Sequence, residues 1–169
     1  MNKHTIVVGC VGAGKSRYFV GPAIKDCKKP VLWISAKDDR KYLGLQDEVQ
    51  LVKVKQLLHL SLEGKKKVNL NNQELDHGEY LVGLEILKDY IRKVWNKDVL
   101  LVFEDILLVF EKETLETFFQ ELIKEVPEST SVIIAIHDLI QIRYLERRFD
   151  DPIILQESLD SNDWNVIYV

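Results

Sequence analysis

Cysteine is scarce in this chain: Cys10 and Cys27 are the only two among 169 residues. Their spacing matches no metal-ligand or redox pattern, and Cys10 lies inside a glycine-rich stretch. Neither a cysteine metal site nor a structural disulfide is expected, and a reducing, cytoplasmic setting follows. Proline (four) and glycine (eight) are also few. They gather into no linker, low-complexity segment or internal repeat, so one domain over 1–169 is expected. No apolar run approaches the ~20 residues of a membrane span. The apolar stretch after Met1 is too short for the core of a signal peptide. An excess of positive charge is missing too, since the net charge is −4. That removes a global basic signature for nucleic acid, although a local basic stripe would suffice.

What is present reads as an ordinary globular protein, with 46% apolar and 30% charged residues. "HTIVVG" (4–9), "PVLWIS" (30–35), "DVLLVFED" (98–105) and "TSVIIAIHD" (130–138) are short, continuously apolar runs, the pattern of buried strands. "DEVQLVKV" (47–54) alternates and suits a strand near a sheet edge, "KKVNLN" (66–71) is a further short strand, and "PIIL" (152–155) and "WNVIYV" (164–169) finish as strands. Helices are expected after residue 15, with a break or kink at Gly21–Pro22, over 55–64, over 76–96 with Tyr80, Leu84, Leu87, Ile91 and Val94 on one face, over 115–126, and over about 139–148. Strands alternating with helices predict an α/β fold: a three-layer α/β/α sandwich around a mostly parallel sheet. Ligands of such sheets bind beyond the carboxyl ends of the strands. Three strand tips are polar there, at Gly9, at Glu104–Asp105 and at His137.

"GCVGAGKS" (9–16) fits G-x-x-x-x-G-K-[ST]. Its glycines let successive backbone N–H groups point inward, and with the start of the next helix they cradle a polyphosphate. Gly9, Cys10, Val11, Gly12, Ala13, Gly14, Lys15, Ser16 and Arg17 are the candidate nucleotide-binding residues. Lys15 is expected to reach the β- and γ-phosphates, and Ser16 to ligate Mg2+. The acidic strand tip is the complement of such a loop: one acid holds the metal shell and the other polarises an attacking water. Glu104 is paired with Ser16 as the metal candidate, and Asp105 with the water. The order Glu–Asp reverses the usual one and leaves that division open. His137 ends its strand where a side chain can sense a γ-phosphate, or simply be a satisfied structural histidine. Arg143 and Arg147 share a helix face and could supply charge to a transferring phosphate, from the same subunit or a neighbour, or could be solvated. "GKKKV" (64–68) reads as an exposed basic turn, or less often as a patch for DNA phosphates. Trp33, Trp95 and Trp164 suit core or interface positions, and His4, His59 and His77 structural or surface ones. "SAKDD" (35–39) comes too early for a guanine-reading element, so ATP is preferred to GTP.

The extra strand after the acidic one is similar to that of the additional-strand P-loop NTPases, whose sheet is RecA-like. Within them, the chain resembles the HerA/FtsK superfamily of DNA-translocating, conjugation and viral genome-packaging ATPases. The resemblance is carried by "GCVGAGKSRYFVGPAI", "PVLWISAKDD", "KKVNLNNQEL…VLLVFEDILLVF" and "SVIIAIHDLIQIRYLERRFDDPIIL". It implies an ATP-driven homo-oligomeric ring, often a hexamer, that moves DNA, with the arginines as candidates for a finger on a neighbour's ATP. A viral member would work in the host cytoplasm. Other readings stay open. A nucleoside or nucleotide kinase would use the same loop with Arg143 and Arg147 as lid arginines. An ABC-like switch would use the His137 strand, and a binding-only module would leave ATP uncleaved.

Overall fold

The fold is described by a computed structural model that covers residues 4–10, 12–35, 37–70, 77–95, 97–104, 128–137 and 164–169. Its strands are β1 (His4–Gly9), β2 (Val31–Ser35), β3 (Val49–Val52), β4 (Lys65–Asn69), β5 (Leu100–Glu104), β6 (Ser131–His137) and β7 (Trp164–Tyr168). Among the described residues they form one seven-stranded sheet in the order β3-β4-β2-β5-β6-β1-β7. Every pairing is parallel.

The runs are continuously apolar because both faces of the sheet are covered. Ile6, Val8, Leu32, Ile34, Leu101 and Phe103 point to one face, where Leu87, Tyr90, Ile91 and Val94 of α2 (His77–Val94) pack on them. Val7, Val31, Trp33, Leu100 and Val102 point to the other, against Val20 and against Ile24 of α1 (Gly21–Asp26). The result is the expected three-layer α/β/α arrangement. β3 lies at the sheet edge, and there Gln50 and Leu51 are exposed while Val49 and Val52 are buried.

Two local expectations change. The helix after the glycine loop does not break at Gly21–Pro22. One π-helical turn, Ser16–Val20, runs directly into α1. Proline lacks an N–H and its ring collides with the carbonyl four residues back in a regular helix. The wider turn relieves this: Gly21 N–H bonds to Ser16 O, five residues back, so the register has already shifted before Pro22. The absent side chain helps, since a Cβ on Gly21 would lie 3.0 Å from Ser16 O. The helix expected over 55–64 is instead a 3-10 segment, Val54–Leu58, which turns Val54 and Leu57 into the core.

The segments expected as helices over 115–126 and 139–148, and as a strand over 152–155, lie outside the described residues. No described helix is long and apolar enough to cross a membrane.

Candidate functional site

The strand registers bring the polar tips together. Gly9 pairs with His137 across β1 and β6. Glu104 pairs with Ala135 of β6 on one side and with Ser35 of β2 on the other. The strand after the acidic one is therefore inserted between it and the loop-bearing β1, and all four tips share one end of the sheet. His137 is placed there by its backbone; its side chain lies outside the described residues, as do Val11, Asp105, Arg143 and Arg147.

The loop that leaves β1 folds as its glycines demand. Gly12 and Gly14 have φ of +81° and +86°, a region that other residues enter only with strain. Ala13 N–H donates to Cys10 O at 3.1 Å, and Tyr18 N–H to Gly14 O at 2.8 Å. The Tyr18 ring lies so close over the loop that a Cβ on Gly14 would approach it to 2.5 Å. Arg17 is exposed, with its guanidinium 5.7 Å from the Tyr18 ring centre, and Cys10 is a free, exposed thiol. Lys15 is only 6% exposed. Its ammonium donates to Gly9 O at 2.8 Å and to Cys10 O at 3.2 Å, so it already sits at the mouth of the loop.

Glu104 is 1% exposed, and its two oxygens are taken by donors from different layers. Ser16 Oγ donates to Oε1, and the Trp33 indole Nε1 donates to Oε2 at 3.0 Å. A buried carboxylate requires such partners, because an uncompensated charge in an apolar interior is costly. The juxtaposed hydroxyl and carboxylate are hard oxygen donors, and they fit Mg2+. That ion takes one or two protein oxygens and completes its shell with water and phosphates. Among the described residues there is no cluster of three or more His, Cys, Asp or Glu that would build a cage for a different metal.

Behind Glu104 stands a group that the sequence reading misplaced. The lysine triplet is no exposed turn: it forms β4, between β3 and β2, and Lys67 is 0% exposed. Its Nζ lies 3.3 Å from the centre of the Trp33 ring and donates to Ser35 Oγ, which in turn donates to Lys37 O at 2.6 Å. Lys65 and Lys66 reach Glu48 and Gln50 instead. A strand was expected at 66–71, and an interior strand must turn alternate residues inward. That was the available signal, but three consecutive lysines do not say which one is buried.

Burial pushes the Lys67 pKa down to about 8, and the charges of Glu104, Asp38 and Asp39 oppose the fall. Asp38 is held below the usual carboxylate range chiefly by its hydrogen bonds from Arg40. A pH dependence follows. Below about pH 8 Lys67 is charged in both folded and unfolded chains, and the cost of burying its charge is fully present. Between there and its ordinary value of 10.5 the unfolded chain binds more protons, so its contribution to stability rises with pH. Urea unfolding of wild type and Lys67→Met from pH 7 to 11 should show the difference in stability moving toward wild type, by on the order of 3 kcal/mol. A flat difference would mean that the ammonium is solvated.

No family model matches the chain, and no curated protein matches it. Solved structures do. The genome packaging NTPase B204 from Sulfolobus turreted icosahedral virus 2, in complex with AMP, is similar at a TM-score of 0.52 and 11% identity, over 94% of this chain and 88% of that one. The same NTPase in complex with sulfate gives 0.51 and 13%, over 94% and 86%. At these identities the likeness is one of fold, and it is the α/β fold of a P-loop NTPase.

Proposed function

We propose that the chain is a Mg2+-dependent ATPase and the motor core of an oligomeric machine that moves DNA, of the genome-packaging or translocating kind. One observation carries the enzymatic part. At the shared end of β1, β5 and β6, a glycine loop with a buried lysine meets a carboxylate hydrogen-bonded to the loop's own serine. A phosphate-cradling loop joined to an acid at a strand tip is the arrangement that positions a nucleotide and its metal for phosphoryl transfer, and it supports this reading.

Gly9–Ser16 hold the β- and γ-phosphates through backbone N–H groups. Lys15 exchanges one of its loop carbonyls for a phosphate oxygen and draws off charge as it develops. Ser16 and Glu104 would hold Mg2+, which when bound would neutralise charge on the phosphate oxygens. Asp105 orients the attacking water and accepts its proton. His137, at the tip beside Gly9, senses the γ-phosphate. Arg143 and Arg147 act as fingers on the ATP of a neighbouring subunit. The fold shared with a viral genome packaging NTPase supports the motor assignment.

The test is ATP turnover by the purified protein, with and without double-stranded DNA, together with its mass in solution. Turnover stimulated several-fold by DNA, from a ring-sized particle, is the expected result. Phosphate transferred to an added nucleoside, with Arg143 and Arg147 needed for it, would make the chain a kinase instead. ATP bound but never cleaved would make it a binding module.

A further inference from the structure

Among the described residues, Lys67 is a buried ionisable side chain that the mechanism above leaves unused. Lys67 is fully enclosed, yet it is placed on the face of Trp33, whose edge touches Glu104. We propose that Lys67 and Trp33 are positioning residues for Glu104, the ammonium fixing and polarising the indole so that its N–H holds Oε2 while Oε1 stays on Ser16. The inference rests on the reading of Glu104 as the metal-holding acid of an ATP site.

The placement follows from register. Trp33 lies opposite Lys67 across β2 and β4, and Ser35 lies opposite Glu104 across β2 and β5. Trp33 also belongs to the core cluster that contains Val20 and Ile24, so the apolar body of its ring is packed against the helix that follows the loop. An indole has a single N–H, and its direction is set wholly by the ring plane. The ring is held by that core and by the cation on its face, while the cation is tied to Ser35 Oγ. A cation on the π face draws electron density from the ring and makes the N–H a stronger donor. Lys67, Trp33, Glu104 and Ser16 thus form one connected path from β4 through β2 and β5 into the phosphate loop.

Stability does not account for the lysine. A methionine of similar length would fill the same space without a charge to desolvate, and replacing buried charges by apolar groups is often neutral or stabilising. An ammonium there makes physical sense as a means of orienting its neighbours. Residues that orient a metal ligand typically change metal affinity by 10- to 100-fold.

The experiment uses the full chain and the variants Lys67→Met, Lys67→Arg, Trp33→Phe and the double variant Lys67→Met/Trp33→Phe. Three readouts are taken: the Mg2+ half-saturation of fluorescent ATP binding, nucleotide binding in EDTA, and the NMR signal and exchange rate of the Trp33 indole N–H. Lys67→Met and Trp33→Phe should each raise the Mg2+ half-saturation roughly tenfold. Binding in EDTA should stay within about twofold of wild type, because the loop itself is intact. The double variant should be no worse than the worse single one, because both act on the same bond. Lys67→Arg, which keeps a cation on the ring, should lie nearer wild type. Should Lys67→Met fail to fold, Lys67→Gln makes the same comparison. Unchanged Mg2+ dependence in folded single variants, or losses that multiply in the double one, would overturn the proposal. The NMR readout needs no nucleotide: Lys67→Met should move the indole proton upfield and speed its exchange roughly tenfold. If wild type binds no nucleotide, the ATP-site reading fails, and an unmoved indole signal would separately sink the positioning role.

Discussion

Lys15→Ala is expected to lower ATP turnover by on the order of 10³-fold, since it removes a preorganised cation aimed at the charge that develops in phosphoryl transfer. The size of the loss comes from where the ammonium is held. Lys15 is 6% exposed, and Gly9 O and Cys10 O hold its Nζ within 3.2 Å. The charge therefore waits at the mouth of the loop and costs little reorganisation when phosphates enter. Alanine removes the charge and also the donor for two loop carbonyls, so ATP affinity should fall along with turnover. Lys15→Arg should rescue little, because a rigid planar guanidinium does not replace a compact ammonium at the end of a flexible stem. Phosphate release and fluorescent nucleotide binding, measured beside a melting curve, separate a dead site from an unfolded chain. Turnover at the wild-type rate in folded Lys15→Ala would place the ATP site elsewhere.

Much of the frame was legible because its cause is local. The strands at 4–9, 31–35, 100–104 and 131–137 are uninterruptedly apolar over 6–8, 31–34, 100–103 and 132–136, a pattern that both-side burial demands. The loop was legible because its backbone needs glycine at Gly12 and Gly14, both with positive φ. Glu104 stood out as a strand tip beside that loop. What could not be read depends on which residue of one strand lies opposite which of another. "KKKV" carries no sign that Lys67 is the buried lysine, because the period of a strand is two and Lys65, on the same face, is only half-buried. Trp33 could be assigned to the core, but its bond to Glu104 exists only because β2 pairs with β5 in one particular register. The helix after the loop shows a different limit. Gly21–Pro22 is a sound local signal for a break, yet the π turn before it absorbs the conflict.

Glu104→Gln is the second large effect, and it bears on the reversed acid pair. Glutamine keeps the shape of the side chain, and its amide oxygen can still accept from the Trp33 indole. It lacks the negative charge that a divalent cation requires. The Mg2+ half-saturation for ATP binding should rise by roughly 10- to 100-fold, and turnover at limiting Mg2+ should fall with it. Asp105→Asn should behave differently: Mg–ATP binding persists while hydrolysis is lost, because the proton of the attacking water has no acceptor. The opposite pattern, with Mg2+ affinity lost in Asp105→Asn and retained in Glu104→Gln, would exchange the two roles. A third readout belongs to Glu104 alone. Its carboxylate is among the charges that hold the Lys67 pKa up against burial. With glutamine there, Lys67 should lose its proton below its present value of about 8, so the rise of stability with pH should begin at lower pH than in wild type. Unfolding curves across that range therefore report the link between Glu104 and Lys67 without nucleotide, metal or turnover.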